Sequence, residues 1–307
     1  MTGSPASPSG DKLRSSKSSS SPLFKSLVIK PLAMAALVVG SGFAGPADAE
    51  AAAASAFLPH QALYDLDLVN ARGSNINSAR GRILYTFSGS ACEGYTSEFR
   101  QVSELESGED KVTLSDLRST AWEDGAGKSY RFKIDARMND TDSSPVDGVA
   151  ERTGDHVTVK LKQPEAKTFM LEGDTVFPTQ QIQRIIEAAR AGKTLLQLTL
   201  YDGSDNGEKL YNTLSVIGKP IRGGQTVATP DPSTSSEAMK SLTRWPVTVS
   251  YFDHDAKPTE GEQSPVYSMS FELYENGVSR ALALDYNDFV VAGAMEKFDV
   301  RDSKPCK

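Results

Sequence analysis

Residues 128–138 read KSYRFKIDARM, and their alternation decides the fold class. Tyr130, Phe132, Ile134, Ala136 and Met138 fall on one side of an extended chain, and Arg131, Lys133, Asp135 and Arg137 fall on the other. Successive side chains of a strand point to opposite faces, so a period of two marks a strand with one buried and one solvated face.

The same rhythm runs outward in both directions. Upstream, HQALYDLDLV (60–69) sets Ala62, Tyr64, Leu66 and Leu68 against Asp65 and Asp67, and RGRILYTFSG (80–89) gives Ile83, Tyr85 and Phe87. Downstream, DHVTVKLKQP (155–164) gives Val157, Val159 and Leu161. TLLQLTLYD, EKLYNTLSVIG, WPVTVSYFD, PVYSMSFELYENG and VSRALALDY continue the pattern to residue 286. EDGAGK near 125, DGSDNGEK near 205 and Asn276-Gly277 supply turn chemistry between strands. This predicts a mainly β protein of roughly a dozen hairpin-linked, antiparallel strands. So many one-sided strands need a sheet curled on itself, a β-spiral or open barrel.

One segment breaks the rhythm. FPTQQIQRIIEAARAGK (177–193) places Ile182, Ile185, Ile186 and Ala189 on one helical face, with Gln183, Arg184, Glu187 and Arg190 on the other. Thr179 is the expected N-cap and Gly192 the C′ stop, so the sequence predicts one main helix packed on the sheet. Residues 219–242 lack apolar periodicity and carry Gly223-Gly224, Pro230 and Pro232, the composition of a long exposed loop with a short helical turn at 237–242.

The first 49 residues do not belong to this domain. A basic, serine-rich leader with Lys12, Arg14, Lys17, Lys25 and Lys30 precedes the apolar PLAMAALVVGSGFAG, whose core of about 13 residues is shorter than the ~20 of a membrane-spanning helix. Small residues at Ala47 and Ala49 complete a signal peptide with cleavage expected after Ala49. This implies an exported, periplasmic protein, a single β domain over 50–307, and no transmembrane segment in the mature chain. Losing five cations and two anions with the leader turns 33 basic and 40 acidic side chains into 28 and 38, a net charge near −10. That acidity disfavours nucleic acid and anionic lipid surfaces as general partners.

Two cysteines remain, Cys92 and Cys306, with no CxxC or other metal-ligand spacing. In an oxidising compartment the expected state is one intramolecular disulfide, the alternative being two free thiols. Catalytic signatures such as GxSxG, HExxH or a phosphate-cradling glycine loop do not occur. His60, His156 and His254 each have a plain structural account. Asp202, Ser204 and Asn206 imitate half a calcium loop, but the twelfth position is Thr213 where that loop wants Glu, so DGSDNGEK reads as a turn. No catalytic residue, metal or cofactor is expected.

LPHQALYDLDL, ACEGY around Cys92, FPTQQIQRIIEAARAGK leading into LYDGSDNGEKLYNT, and a cysteine near the end together resemble the EipB-type cell-envelope integrity proteins, long described as a domain of unknown function. The likeness spans roughly 57–307, and Tyr95 stands where the family pattern carries tryptophan. The resemblance implies a periplasmic β-spiral, a disulfide joining Cys92 to Cys306, a role in envelope integrity and a tetratricopeptide-repeat partner. It assigns no catalytic residues. The leading expectation is a non-enzymatic protein that acts by binding a periplasmic partner. The alternatives are a carrier of lipid or lipoprotein held in the curl, which aromatics such as Phe87, Phe132, Phe169 and Phe271 would obstruct by filling it, and a hydrolase of envelope polymers.

Overall fold

A computed structural model describes residues 57–302 apart from 73–75, 109–110, 140, 142, 144, 226 and 257–262. Fifteen strands form one sheet among the described residues, more than the dozen expected from the sequence. The first half is β1 (His60–Ala71), β2 (Ile76–Ser90), β3 (Gly94–Ser107), β4 (Lys111–Glu123), β5 (Ser129–Met138), β6 (Val146–Thr153), β7 (His156–Gln163) and β8 (Lys167–Leu171). After β9 (Thr175–Val176) and α1 (Pro178–Arg190) come β10 (Leu195–Leu200) and β11 (Tyr211–Ile217). The short α2 (Pro232–Ser235) precedes β12 (Arg244–Asp253), β13 (Tyr267–Tyr274), β14 (Ser279–Asp285) and β15 (Phe289–Val300).

The strand order is β8-β7-β6-β5-β4-β3-β2-β1-β15-β14-β13-β12-β11-β10-β9, antiparallel except for β9 beside β10. The first and last strands are therefore central neighbours, and the two sheet edges are consecutive in the chain. Laid flat, fifteen strands about 4.8 Å apart would hold those edges roughly 70 Å from each other. Yet only residues 172–174 join β8 to β9, a reach of about 14 Å. The connection obliges the sheet to roll up. With β9 two residues long, the ring is barrel-like and nearly closed.

Three apolar clusters line the inside. Tyr130, Phe132, Val157 and Val159 pack with Phe177 and Tyr201, bringing the β9–β10 end against β5–β8. Ala62, Tyr64, Ile83 and Val291 join β1 and β2 to β14 and β15. The third forms where α1 lays Ile185, Ile186 and Ala189 on Val247, Val249 and Phe271. The helix ends as a Schellman motif: Lys193 N–H donates to the Ala188 carbonyl, Gly192 N–H donates to Ala189, and Gly192 takes φ 71°, as expected of a C′ glycine.

Its start differs from expectation. Pro178 is the first helical residue and Phe177 the N-cap position, so Thr179 lies inside the helix and cannot cap it. The segment 219–242, expected as an exposed loop, folds onto the outer face of the sheet. Ile221 bridges to Arg244, α2 is capped by Asp231, and Met239 is buried against Tyr274 and Val278.

Candidate functional site

The inside of the curl has two ends of different character. At the α1 end, Glu123 closes β4 with its side chain buried, and its carboxylate accepts the backbone N–H groups of Thr179 at 2.7 Å and Gln180 at 2.9 Å. These are orphan donors of the helix start, which no side chain of the helix itself satisfies from the N-cap. Burial pushes the Glu123 carboxyl up to about 7, against the pull of those donors and of Arg152. Nearby, His60 is buried and donates from Nδ1 to the Leu58 carbonyl at 2.7 Å, and burial pushes its pKa down. A cavity of about 110 Å³ lies between His60, Tyr85, Phe87 and the first turn of α1.

The opposite end is ringed by aromatics. Tyr211, Tyr251, Tyr267, Tyr286 and Phe289 follow one another across β11 to β15 with ring centroids 6.0, 5.6, 5.2 and 5.0 Å apart. Desolvation pushes the Tyr251, Tyr267 and Tyr286 hydroxyls above the usual tyrosine range, although each ring is only half-buried. A cavity of about 190 Å³ sits beside them, with Leu66, Leu105 and Leu284 among its walls.

The loop 201–210 between β10 and β11 is the calcium-like DGSDNGEK stretch. Its side chains serve its own backbone: Asp202 accepts from Ser204 N–H and Asn206 from Glu208 N–H. Gly203, at φ 70°, lies against the Phe132 ring, where a Cβ would come within 2.4 Å. Tyr130 donates its hydroxyl to the Asp202 carbonyl at 3.0 Å. The stretch is the hairpin connection between β10 and β11, as expected, and it also folds inward as a plug against β5–β7.

The remaining residues singled out from the sequence are dispersed. Cys92 lies in the exposed turn 91–93 between β2 and β3, while Ala49 and Cys306 fall outside the described residues. His156 neighbours Asp155, and His254 bonds Asn212. Phe87, Phe132 and Phe271 are buried inside the curl, with Phe169 packed against the cluster that holds Phe132.

Sequence reasoning missed a buried ionic cluster on the outer face. Arg280, 2% exposed, donates Nε to Asp231 at 2.7 Å, Nη2 to the Thr229 carbonyl at 2.5 Å and Nη1 to Glu272. Arg244 adds a 2.6 Å bond to the same Glu272.

The EipB-like family model matches residues 51–302. The chain belongs to the EipB-like family. Among its relatives is the cell envelope integrity protein EipB of Brucella abortus (strain 2308), 37% identical over 271 residues that cover 88% of this chain and 92% of that one. A solved structure, the beta-barrel-like protein of domain of unknown function DUF1849 from Brucella abortus, superposes with a TM-score of 0.72 at 35% identity. It covers 80% of this chain and 99% of that chain. The nearly closed curl is thus a fold that this EipB-like chain has in common with a solved protein of the same domain type.

Proposed function

We propose that this chain is a non-enzymatic periplasmic protein that maintains cell-envelope integrity by binding a protein partner. The observation that carries the reading is the 37% identity, over 92% of its length, to a protein named for envelope integrity. The outer face supports a binding role. Leu84, Val102 and Leu114 on β2–β4 are 40–50% exposed beside a shallow groove of about 680 Å³, framed by the ion pairs Arg82–Asp65 and Arg100–Asp116. Exposed aliphatics fenced by paired charges fit a protein partner, of which a tetratricopeptide-repeat protein is the class implied by the resemblance.

Export and the Cys92–Cys306 disulfide belong to the same reading. Arg301 N–H donates to the Pro59 carbonyl at 2.8 Å, and His60 pairs with Val300 on one side and Phe87 on the other. The chain therefore leaves β15 two strands from β2, at the end where β2 turns. The offset to Cys92 is about 16 Å by strand spacing and rise, and the five residues from Arg301 to Cys306 reach about 17 Å.

The test is deletion of the gene followed by complementation. Cells lacking the protein should become sensitive to detergent, and a form with the leader should rescue them while a form starting at residue 50 should not. Photo-crosslinking from position 102, with position 212 as the control face, should then capture one dominant periplasmic protein. Unaltered detergent tolerance in the deletion strain would defeat the envelope role, and equal capture from both positions would defeat the assigned face. Whole-lipid transport is disfavoured because buried aromatics occupy the inside, and the two cavities described at its ends, about 190 and 110 Å³, are smaller than the ~300–1,000 Å³ of sites for drug-sized ligands.

A further inference from the structure

We propose that the 190 Å³ cavity at the aromatic end is a binding site for a neutral apolar group of single-ring size carrying one acceptor oxygen. This inference is independent of the envelope role and rests on the shape and chemistry of the cavity alone.

Size comes first. The volume is about 190 Å³, somewhat larger than the ~150 Å³ apolar cavity known to admit benzene, and too small for a whole lipid. The walls are predominantly apolar, with Leu66, Leu284 and Val291 buried on the β1, β14 and β15 side. Tyr286 and Phe289 stack at 5.0 Å with an interplanar angle of 24°, giving an aromatic wall for an edge or offset contact.

One wall is polar, and it has unused capacity. Gln101 and Ser103 on β3 and Ser115 on β4 line it. Gln101 spends its amide on Ser103, donating at 3.0 Å. The Ser103 hydroxyl accepts from Gln101 but donates to no group among the described residues, and the Ser115 hydroxyl makes no side-chain hydrogen bond there. The Ser115 hydroxyl oxygen does not count among the buried atoms sealed without a partner, so it stays accessible at the cavity wall, and Ser103, directly opposite it in the β3–β4 pair, lines the same wall with its proton still to donate. Two adjacent hydroxyl donors at the edge of an apolar space fit one acceptor oxygen.

Charge narrows the class. Arg80, at the cavity's edge, is engaged by Glu104 at 2.5 Å, so the rim presents a neutral pair rather than a free cation. An anionic ligand would bring a like charge beside the Glu104 carboxylate, whereas a neutral one would not. An alcohol, phenol or ester of one-ring bulk has the right chemistry. An alkyl end of an envelope lipid and an aromatic metabolite present the same features to these walls.

The test is NMR titration of the purified protein with benzyl alcohol, using sodium benzoate as the charged analogue and n-hexanol as the alkyl arm. Benzyl alcohol should saturate at millimolar concentrations with contacts from its ring protons to Leu284 and Phe289, and benzoate should bind at least tenfold more weakly. Hexanol binding with the same contacts points to a lipid source, and preference for the ring points to an aromatic one. Ser115→Leu and Ser103→Leu each fill the cavity from a different strand and should weaken benzyl alcohol at least tenfold. Contacts elsewhere, no saturable shifts, benzoate binding as well as the alcohol, or full affinity in both variants would overturn the proposal. If one variant fails to fold, the other variant and the contact map in the unmodified protein decide.

Discussion

Glu123 caps a helix that begins 55 residues later: its carboxylate takes the Thr179 N–H at 2.7 Å and the Gln180 N–H at 2.9 Å. Where the carboxyl is ionised the helix gains a negative charge at the positive end of its dipole, and in either state β4 is tied to α1 across the inside of the curl. Glu123→Gln keeps the volume but offers one acceptor oxygen in place of two, turning an amide N–H₂ toward a backbone donor. We expect a loss of about 1–2 kcal/mol in chemical denaturation. Because the cap is distant in sequence, the loss should appear in the global transition and not as local fraying of α1. An unchanged transition would show that water replaces the carboxylate without cost.

The same carboxyl makes stability depend on pH. Its folded pKa, about 7, lies above the ordinary value of 4.5, so between those values the native state holds a proton that the unfolded chain has released. This contribution is fully present below about 4.5 and is lost as pH rises through about 7, amounting to roughly 3 kcal/mol. His60 acts oppositely: its lowered pKa gives stability that is present above 6.5 and is lost as pH falls through its folded value. The unmodified protein should therefore lose melting temperature from pH 5.5 to 8 relative to Glu123→Gln. Parallel melting curves for the two proteins across that range would rule out Glu123 as the source.

The alternation in residues 128–138 revealed the strands because each has one apolar and one solvated face, and the 3.6-residue spacing of Ile182, Ile185, Ile186 and Ala189 revealed α1 for the same reason. What that pattern cannot reveal is a polar residue buried by something distant in sequence. Glu123 closes β4 beside the turn residues DGAG and reads as solvated. The one available hint is that FPTQQ begins a helix with phenylalanine at the cap position and no acid in its first turn. Arg280 falls on the outward face of β14, where an arginine normally meets water, and only the 219–242 segment folded over it makes that face interior. Turn composition placed DGSDNGEK correctly between β10 and β11, but it could not show that Gly203 also lets the chain approach Phe132.

Joining Cys92 to Cys306 would close a loop across nearly the whole domain, a constraint worth on the order of 5 kcal/mol by chain entropy and less in a compact denatured state. Cys92→Ser and Cys306→Ser should each lower the melting temperature by several degrees under oxidising conditions while leaving the far-ultraviolet spectrum of the sheet intact. The double variant should match either single one, because one bond is being removed in every case. Equal melting temperatures for the unmodified protein with and without reductant would sink the pairing.

Arg280 locks the 219–242 segment to the sheet from beneath. Its guanidinium is held by Asp231, Glu272 and the Thr229 carbonyl, and Asp231 in turn caps α2 through Ser233 and Thr234 N–H. Arg280→Ala would leave the Asp231 carboxylate, whose side chain is 10% exposed, without its cation, whereas Glu272 would keep Arg244. Removing one partner of a buried pair costs about 3–5 kcal/mol. Part of that cost is relieved if the segment lifts away and hydrates Asp231, so we expect the damage to be local. Limited proteolysis should cut Arg280→Ala within 219–242 well before the barrel unfolds, while Lys240→Ala, which breaks only an exposed pair with Glu237, should resist like the unmodified protein. Cleavage first in another loop, or no change in the cutting rate, would show that Met239 and its apolar contacts hold the segment without the ionic cluster.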